Sequence, residues 1–373
     1  MTTESRRAVL AGVGNMGRKW LSCLTARPDV EVVGIVDLDQ DLAKTVAKSA
    51  GLGDVPIGSN LETLLSVTGA SVLVDATVPG AHHTLTLAAL RQGCDVLGEK
   101  PAAANVAQTL SLCAASETYG GLFMVSQSRR YNPNLEALRT ARDHLGGVGI
   151  LQADFYRGPR FGGFREQMEF PLLVDMAIHP FDTARYILGA EPVAVYCQSF
   201  NPSWSWYRGD ACAMVVVEMS NGARFAYNAS WCSADAETSW NGAWRLVGAD
   251  ATILWDGEAP PELIRRDSAE PVALASEISQ ATQGIAGALN AFLEGLEQAS
   301  APHGHVHENV FSVAMIEAAV ASAQTGTRVG IGDVLREAHE RALKQEADAR
   351  VRARLAAWGD VEAHLWEYSG ANS

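Results

Sequence analysis

The stretch Gly12-Val13-Gly14-Asn15-Met16-Gly17 constrains this chain more than any other. It follows the short apolar run Ala8-Val9-Leu10-Ala11 and opens into residues at helical spacing. Strand, glycine turn and helix form the context of a dinucleotide fingerprint. Gly12 permits the tight turn, Gly14 the approach of a pyrophosphate, and Gly17 close packing of helix on strand. The free N–H groups at the helix start, around Asn15 and Met16, then face phosphate charge.

The β-branched run 30–36 ends at Asp37, about twenty residues past the last glycine, where an acid suits the hydroxyls of an adenosine ribose. Asp39 follows closely, and no arginine stands ready for a 2′-phosphate. The pair predicts NAD rather than NADP. Alone, Asp37 is equally readable as a helix cap.

Strand and helix keep alternating, with strands at 71–75, 95–98 and 121–125 and helices at 81–91 and 103–118. Such alternation predicts a parallel, doubly wound sheet in a first domain, 1–125. The pattern then changes. A helix at 135–144 is followed by strands at 150–156, 193–200, 211–219, 223–231, 243–247 and 252–255. Asn221-Gly222 suits a hairpin turn between two of them. This second domain, 126–332, reads as an α+β unit with a large, mainly antiparallel sheet, so the fold class is α/β with an α+β second half. Residues 333–373 read as a charge-rich helical extension that packs either on the body or on a second subunit.

With 373 residues, two domains are the natural expectation. The net charge of −14 argues against nucleic acid or an anionic membrane as partner. Six scattered cysteines without a C-x-x-C pair read as buried thiols in a reducing cytosol. The cytoplasm is therefore the expected location. Ser5-Arg6-Arg7 is a poor export signal, because cleavage after the apolar run would destroy the glycine turn. No stretch reads as transmembrane.

Three clusters carry possible chemistry. Gly98-Glu99-Lys100-Pro101 lies at a strand end, on the edge where open parallel sheets bind ligands. Lys100 there can donate to a substrate oxygen or to the cofactor, with Pro101 fixing its direction through a cis bond. The second cluster is Asp175-Met176-Ala177-Ile178-His179-Pro180-Phe181-Asp182. Asp175 and His179 share a helix face, Asp182 flanks the histidine, and histidine suits proton transfer near neutral pH. Pro180 requires that the helix start nearby or kink. The third is aromatic: Trp204, Trp206, Trp231, Trp240 and Trp244 suit either sugar faces or packing. His303, His305 and His307 sit among Pro302 and Gly304, in a loop better suited to lining a substrate than to holding a metal. No metal is expected.

In this order and at these separations, Gly12-x-Gly14-x-x-Gly17, Glu99-Lys100-Pro101 and Asp175-x-x-x-His179-x-x-Asp182 resemble the Gfo/Idh/MocA family. Thr77-Val78-Pro79 with His82 is similar to the family loop beside the nicotinamide ribose. Arg129-Arg130-Tyr131-Asn132-Pro133 is similar to its crossing segment. The match spans about residues 8–332. The resemblance implies an N-terminal Rossmann domain and an NAD-dependent oxidoreductase of a secondary alcohol in a sugar, cyclitol or glycoside. It implies His179 as general acid/base, assisted by Lys100 and Asp175. The implied cofactor set is Gly12, Gly14, Asn15, Met16, Gly17, Asp37, Thr77, Pro79, His82, Glu99 and Lys100. The implied substrate set is Lys100, Arg129, Tyr156, Arg160, Asp175, His179 and Trp244. It also implies a homodimer or homotetramer through the second sheet. Two alternatives stand beside it: a redox-neutral glycosidase or eliminase on the same scaffold, and a dinucleotide-binding sensor without catalysis. Glu169-Phe170-Pro171-Leu172-Leu173 replaces the glycines frequent before the aspartate motif. Arg157, Arg160 and Arg165 near that rim suit either an acidic substrate or plain surface charge.

Overall fold

The computed structural model describes residues 5–268, 270–276 and 282–368. The chain forms two units. One joins Met1–Gln127, Ile285–Val310 and Ala338–His364, and the other joins Ser128–Gly284, Phe311–Glu337 and Leu365–Ser373.

The first unit holds strands β1 (Arg6–Ala11), β2 (Val30–Val36), β3 (Ile57–Gly58), β4 (Val72–Asp75), β5 (Asp95–Gly98) and β6 (Phe123–Val125). They alternate with helices α1 (Asn15–Thr25), α2 (Gln40–Ser49), α3 (Leu61–Thr68), α4 (Pro79–Arg91) and α5 (Val106–Tyr119). The sheet order is β3-β2-β1-β4-β5-β6, and every pair is parallel. Strand order reverses beside β1, which places a ligand crevice at the carboxyl edge there. β4 is buried throughout, as a strand covered on both faces must be. Side-chain caps fix the helix starts: Asp39 on α2, Asn60 on α3 and Asn105 on α5. The short helices α2 and α3, which bury Ala43, Val46 and Ala47 and Leu61, Leu64 and Leu65, and the two-residue β3 are additions to the elements read from the sequence.

The second unit begins with α6 (Pro133–Ala141), β7 (Val148–Tyr156) and α7 (Ile178–Leu188). Then come β8 (Pro192–Phe200), β9 (Cys212–Met219), β10 (Arg224–Ser230), β11 (Ala243–Gly248), β12 (Ala251–Trp255), β13 (Glu262–Arg265), β14 (Val272–Ala273) and β15 (Val329–Gly330). The order is β14-β13-β12-β11-β7-β10-β9-β8-β15. All pairs are antiparallel except β7 with β10, which run parallel at its centre. α7 packs on one face, where Phe181 meets Phe225 and Tyr227 edge to face. The opposite face exposes Tyr196, Met214 and Val216, with Tyr196 directly across from Val216.

The later helices are α8 (Gly284–Gln298), α9 (Val306–Thr325), α10 (Ile331–Gln345), α11 (Ala349–Ala357) and α12 (Val361–Trp366). Of the helical extension expected at 333–373, residues 338–364 group with the first unit. Glu117 on α5 fastens them. It accepts hydrogen bonds from His307 Nε2 at 2.7 Å, His364 Nε2 at 2.8 Å and Trp358 Nε1 at 2.9 Å, and pairs with Arg354. Asp348 adds an ion pair with Arg91 at 2.6 Å and accepts the Tyr119 hydroxyl at 2.5 Å. The cysteines carry no disulfide, and all but Cys23 are buried.

Candidate active site

The glycine turn is built by steric need. Gly12 has φ +87°, and a Cβ there would lie 2.7 Å from the Ala76 carbonyl oxygen. A Cβ on Gly17 would fall 2.0 Å from the Gly12 carbonyl oxygen. Gly14 differs, since no protein atom lies within 4 Å of a Cβ placed on it. Packing therefore does not demand Gly14, and its bare backbone faces space that a pyrophosphate can enter. α1 starts without a side-chain cap or an acid in its first turn, leaving its N–H groups at Asn15 and Met16 for an anion. Asp37 turns toward this loop: Oδ2 accepts the Val13 N–H at 2.8 Å and Oδ1 the Asp39 N–H at 2.9 Å. A glycine cradle with an uncapped helix start and an acid at the end of β2 fits NAD.

The neighbouring strand ends complete this edge. Register places Asp75 beside both Ala11 and Gly98, so the residues after β1, β4 and β5 emerge together. Thr77 donates through Oγ1 at 2.5 Å and through N–H at 3.0 Å to Asp75 Oδ1. Burial pushes the Asp75 carboxyl up. Pro79 opens α4 where no N–H is needed. Glu99 accepts the Trp20 indole N–H at 2.8 Å, and burial raises its pKa above the ordinary carboxylate range. The Lys100-Pro101 peptide bond is cis.

In the second unit, Asp175 lies on a single π-helical turn, Leu172–Met176, which runs into α7. His179 sits in the first turn of α7, so Pro180 falls where a helix tolerates it. Asp175 Oδ2 accepts from Arg165 Nε at 2.6 Å. Nothing in the spacing pointed to that pair, because Arg165 reaches back from a 3₁₀ turn, Gly163–Gln167. Arg129 Nη2 lies 4.0 Å from Met176 Sδ, and burial pushes its guanidinium down to about 10.

Comparison with known proteins agrees with this architecture. A family model described as "Oxidoreductase family, NAD-binding Rossmann fold" matches residues 6–127, and a "GFO/IDH/MocA C-terminal domain" model matches residues 141–254. The chain belongs to the GFO/IDH/MocA family. As a member it is an NAD-dependent oxidoreductase. Inositol 2-dehydrogenase 1 of Saccharopolyspora erythraea is 30% identical over 51% of this chain and 56% of that protein. A putative UDP-kanosamine synthase oxidoreductase subunit of Amycolatopsis mediterranei is 29% identical over 63% of this chain and 69% of that one. An Agrobacterium radiobacter oxidoreductase, solved with NAD+, L-tartaric acid and magnesium, shares the fold with a TM-score of 0.80. It is 18% identical, covering 89% of this chain and all of that one.

Within this GFO/IDH/MocA member, several expected contacts need correction. His82 is 2% exposed and braces two loops: Nδ1 lies 2.8 Å from the Pro101 carbonyl oxygen and Nε2 3.2 Å from that of Thr77. Trp244 is a packing residue, 4% exposed, stacked on Phe225, with Nε1 donating to the Asn241 carbonyl at 2.8 Å. Tyr156 alternates with Phe155 on β7 and so points to the face opposite α7. Asp182 does not flank His179 chemically. Its carboxylate is buried against Arg130 at 2.7 Å and accepts Ser312 Oγ at 2.9 Å. His307 pairs with Glu117 in the first unit, and among the described residues no group of His, Cys, Asp and Glu is arranged to hold a metal.

Proposed function

We propose that this protein is a dehydrogenase of a secondary alcohol in a sugar, cyclitol or related polyol. The observation that carries the reading is the junction of the π-helical turn with α7. It sets Asp175 and His179 within one turn, while Asp182 is committed to Arg130. His179 then takes the hydroxyl proton in oxidation and returns it in the reverse direction. Asp175, held by Arg165, orients the imidazole or a neighbouring hydroxyl. Lys100 donates a hydrogen bond to the reacting oxygen and stabilises its developing charge. Bound NAD would supply the hydride acceptor, a chemistry that belongs to the cofactor. The chain's part on that side is to hold it at Gly12–Gly17 and Asp37. Arg129 and Arg160 are the proposed substrate contacts beside this centre. The polyol dehydrogenases among the relatives support the substrate class.

The exposed apolar face around Tyr196, Met214 and Val216 supports a second copy of the chain as its partner. No helix among the described residues is long and apolar enough to cross a membrane.

The test is incubation with NAD and a panel of sugars and cyclitols, following reduced cofactor by absorbance. Oxidation that a His179→Ala variant loses is the expected result. Silence across the panel in both directions, or full turnover by that variant, overturns the reading.

A further inference from the structure

Arg129 and the arginines of the 157–165 loop differ in how much of their hydrogen-bonding capacity is already used. Arg157 is committed: it donates to the Thr238 carbonyl at 2.9 Å, pairs with Glu237 at 3.1 Å and covers the Trp240 ring at 4.6 Å. Arg165 gives Asp175 only its Nε. Among the described residues its Nη1 and Nη2 groups meet no protein acceptor, and the side chain is 37% exposed. Its guanidinium lies over Phe161 at 5.3 Å and Phe164 at 4.8 Å. Arg160 makes no hydrogen bond or ion pair among the described residues and lies over Trp206 at 4.0 Å. Arg129 likewise has no carboxylate partner there, and reaches only Met176.

These cations are built in. Trp206 contacts Tyr207 at 5.6 Å between centroids, Tyr207 stacks on Trp231 at 5.9 Å, and Trp231 meets Phe161 at 5.7 Å. One aromatic ladder therefore carries Arg160 at one end and Arg165 at the other. Tyr207 also donates to the Pro159 carbonyl at 2.8 Å, which ties the ladder to the loop bearing both arginines. A guanidinium stacked on aromatic rings keeps its in-plane N–H edge pointing outward. With Nε held by Asp175, the edge left on Arg165 is the Nη1–Nη2 fork. That fork matches two oxygens of a planar carboxylate. Glu166, on the same 3₁₀ turn as Arg165, already accepts the Gly162 N–H at 2.9 Å.

We propose that the substrate is a polyhydroxy acid, a sugar or polyol bearing one carboxylate, and that the Nη1–Nη2 fork of Arg165 grips that carboxylate. The inference rests on the reading of Asp175 and His179 as the reaction centre. Arg165 is then both a positioning residue for Asp175 and the residue that sets specificity.

The experiment pairs neutral and acidic substrates on the full-length protein: glucose with glucuronate, galactose with galacturonate, and glucose 6-phosphate as a dianionic control. Turnover is measured with NAD, and binding by calorimetry with NADH present. At least one acid is expected to exceed its neutral counterpart by about tenfold or more in affinity and in kcat/KM. Arg165→Met is expected to erase that preference through KM. Arg165→Lys, which keeps a charge beside Asp175 but no fork, restores turnover of neutral substrates and not the preference. Equal or better use of the neutral members, tighter binding of the phosphate, or equal losses on acid and neutral substrates in Arg165→Met each overturn the proposal. Arg165-dependent binding of an acid without hydride transfer would leave it standing and remove the dehydrogenase reading. His179-dependent oxidation of neutral sugars without acid preference does the reverse.

Discussion

Asp37 Oδ2 accepts the backbone N–H of Val13 at 2.8 Å, so the acid at the end of β2 is fixed to the glycine turn that follows β1. One carboxylate thus shapes the glycine turn, and its proposed second role is as acceptor for a ribose hydroxyl. Asp37→Ala is expected to weaken NAD by about tenfold to a hundredfold, the worth of hydrogen bonds to a charged group. It also removes the charge that repels a 2′-phosphate, so the preference for NAD over NADP should narrow. Titration of NADH and NADPH fluorescence checks both. A variant with unchanged NADH affinity would show that Asp37 is only a brace.

Two aspartates seven positions apart have separate jobs. Asp175 sits part-exposed beside Arg165, whereas Asp182 is buried with Arg130 and near Arg185. Removing one member of a buried ion network costs about 3–5 kcal/mol. Asp182→Ala should therefore lower the melting temperature by about 10 °C. Asp175→Ala should leave melting nearly unchanged and cut kcat by about a hundredfold or more, the scale of an assisted proton transfer. Circular-dichroism melts beside steady-state rates separate the two. An Asp182→Ala protein that melts normally but does not turn over would reverse the assignment.

The contrast shows what the sequence could carry. Apolar runs found β1, β2 and most of the second sheet. Spacing read Asp175 and His179 as one helix face, whereas Asp175 lies on a π-helical turn and His179 in the first turn of α7. It gave Asp182 to His179 by the same rule, but Arg130, fifty-two residues upstream, claims that carboxylate. The Arg165–Asp175 pair depends on a 3₁₀ turn with no periodic signature. Tyr156 and Trp244 look alike as strand aromatics. Only the observed pairing with neighbouring strands assigns each to a sheet face. The tail showed its apolar stripe but not its destination, because Glu117 is anonymous within α5 until four partners converge on it.

That convergence makes tail docking acid-sensitive. Burial alone raises the Glu117 carboxyl, but hydrogen bonds from His307, His364, Trp358 and Arg354 outweigh it and hold the group well below its ordinary 4.5. A depressed carboxylate pKa contributes stability that is present above the unfolded value and lost as pH falls toward the folded one. Glu117→Gln should cost about 3 kcal/mol at pH 7, and the gap from the wild type should shrink steadily below about pH 4.5. Urea unfolding across that range, with proteolysis of residues 338–364 as a local probe, tests it. A gap that is the same at pH 7 and pH 3.5 would mean that the carboxylate charge is not what fastens the tail.

The open sheet face gives the last prediction. Tyr196 lies opposite Val216 across β8 and β9, and Met214 stands two residues before Val216 on the same face of β9, so these three exposed apolar side chains are neighbours, with the polar Gln198 and Asn228 opposite Met214. Water contact over such a patch is unfavourable by about 25 cal/mol per Å². A second copy meeting it face to face would bury the same residues from both sides, the self-complementary contact expected of a two-fold dimer. Paired substitutions Met214→Asp and Val216→Asp should then convert a dimer or tetramer to monomers while leaving the far-ultraviolet spectrum unchanged, because both side chains point away from α7. Sedimentation velocity at tens of micromolar distinguishes the outcomes. A wild-type protein that sediments as a monomer at that concentration removes the sheet face as an interface between copies.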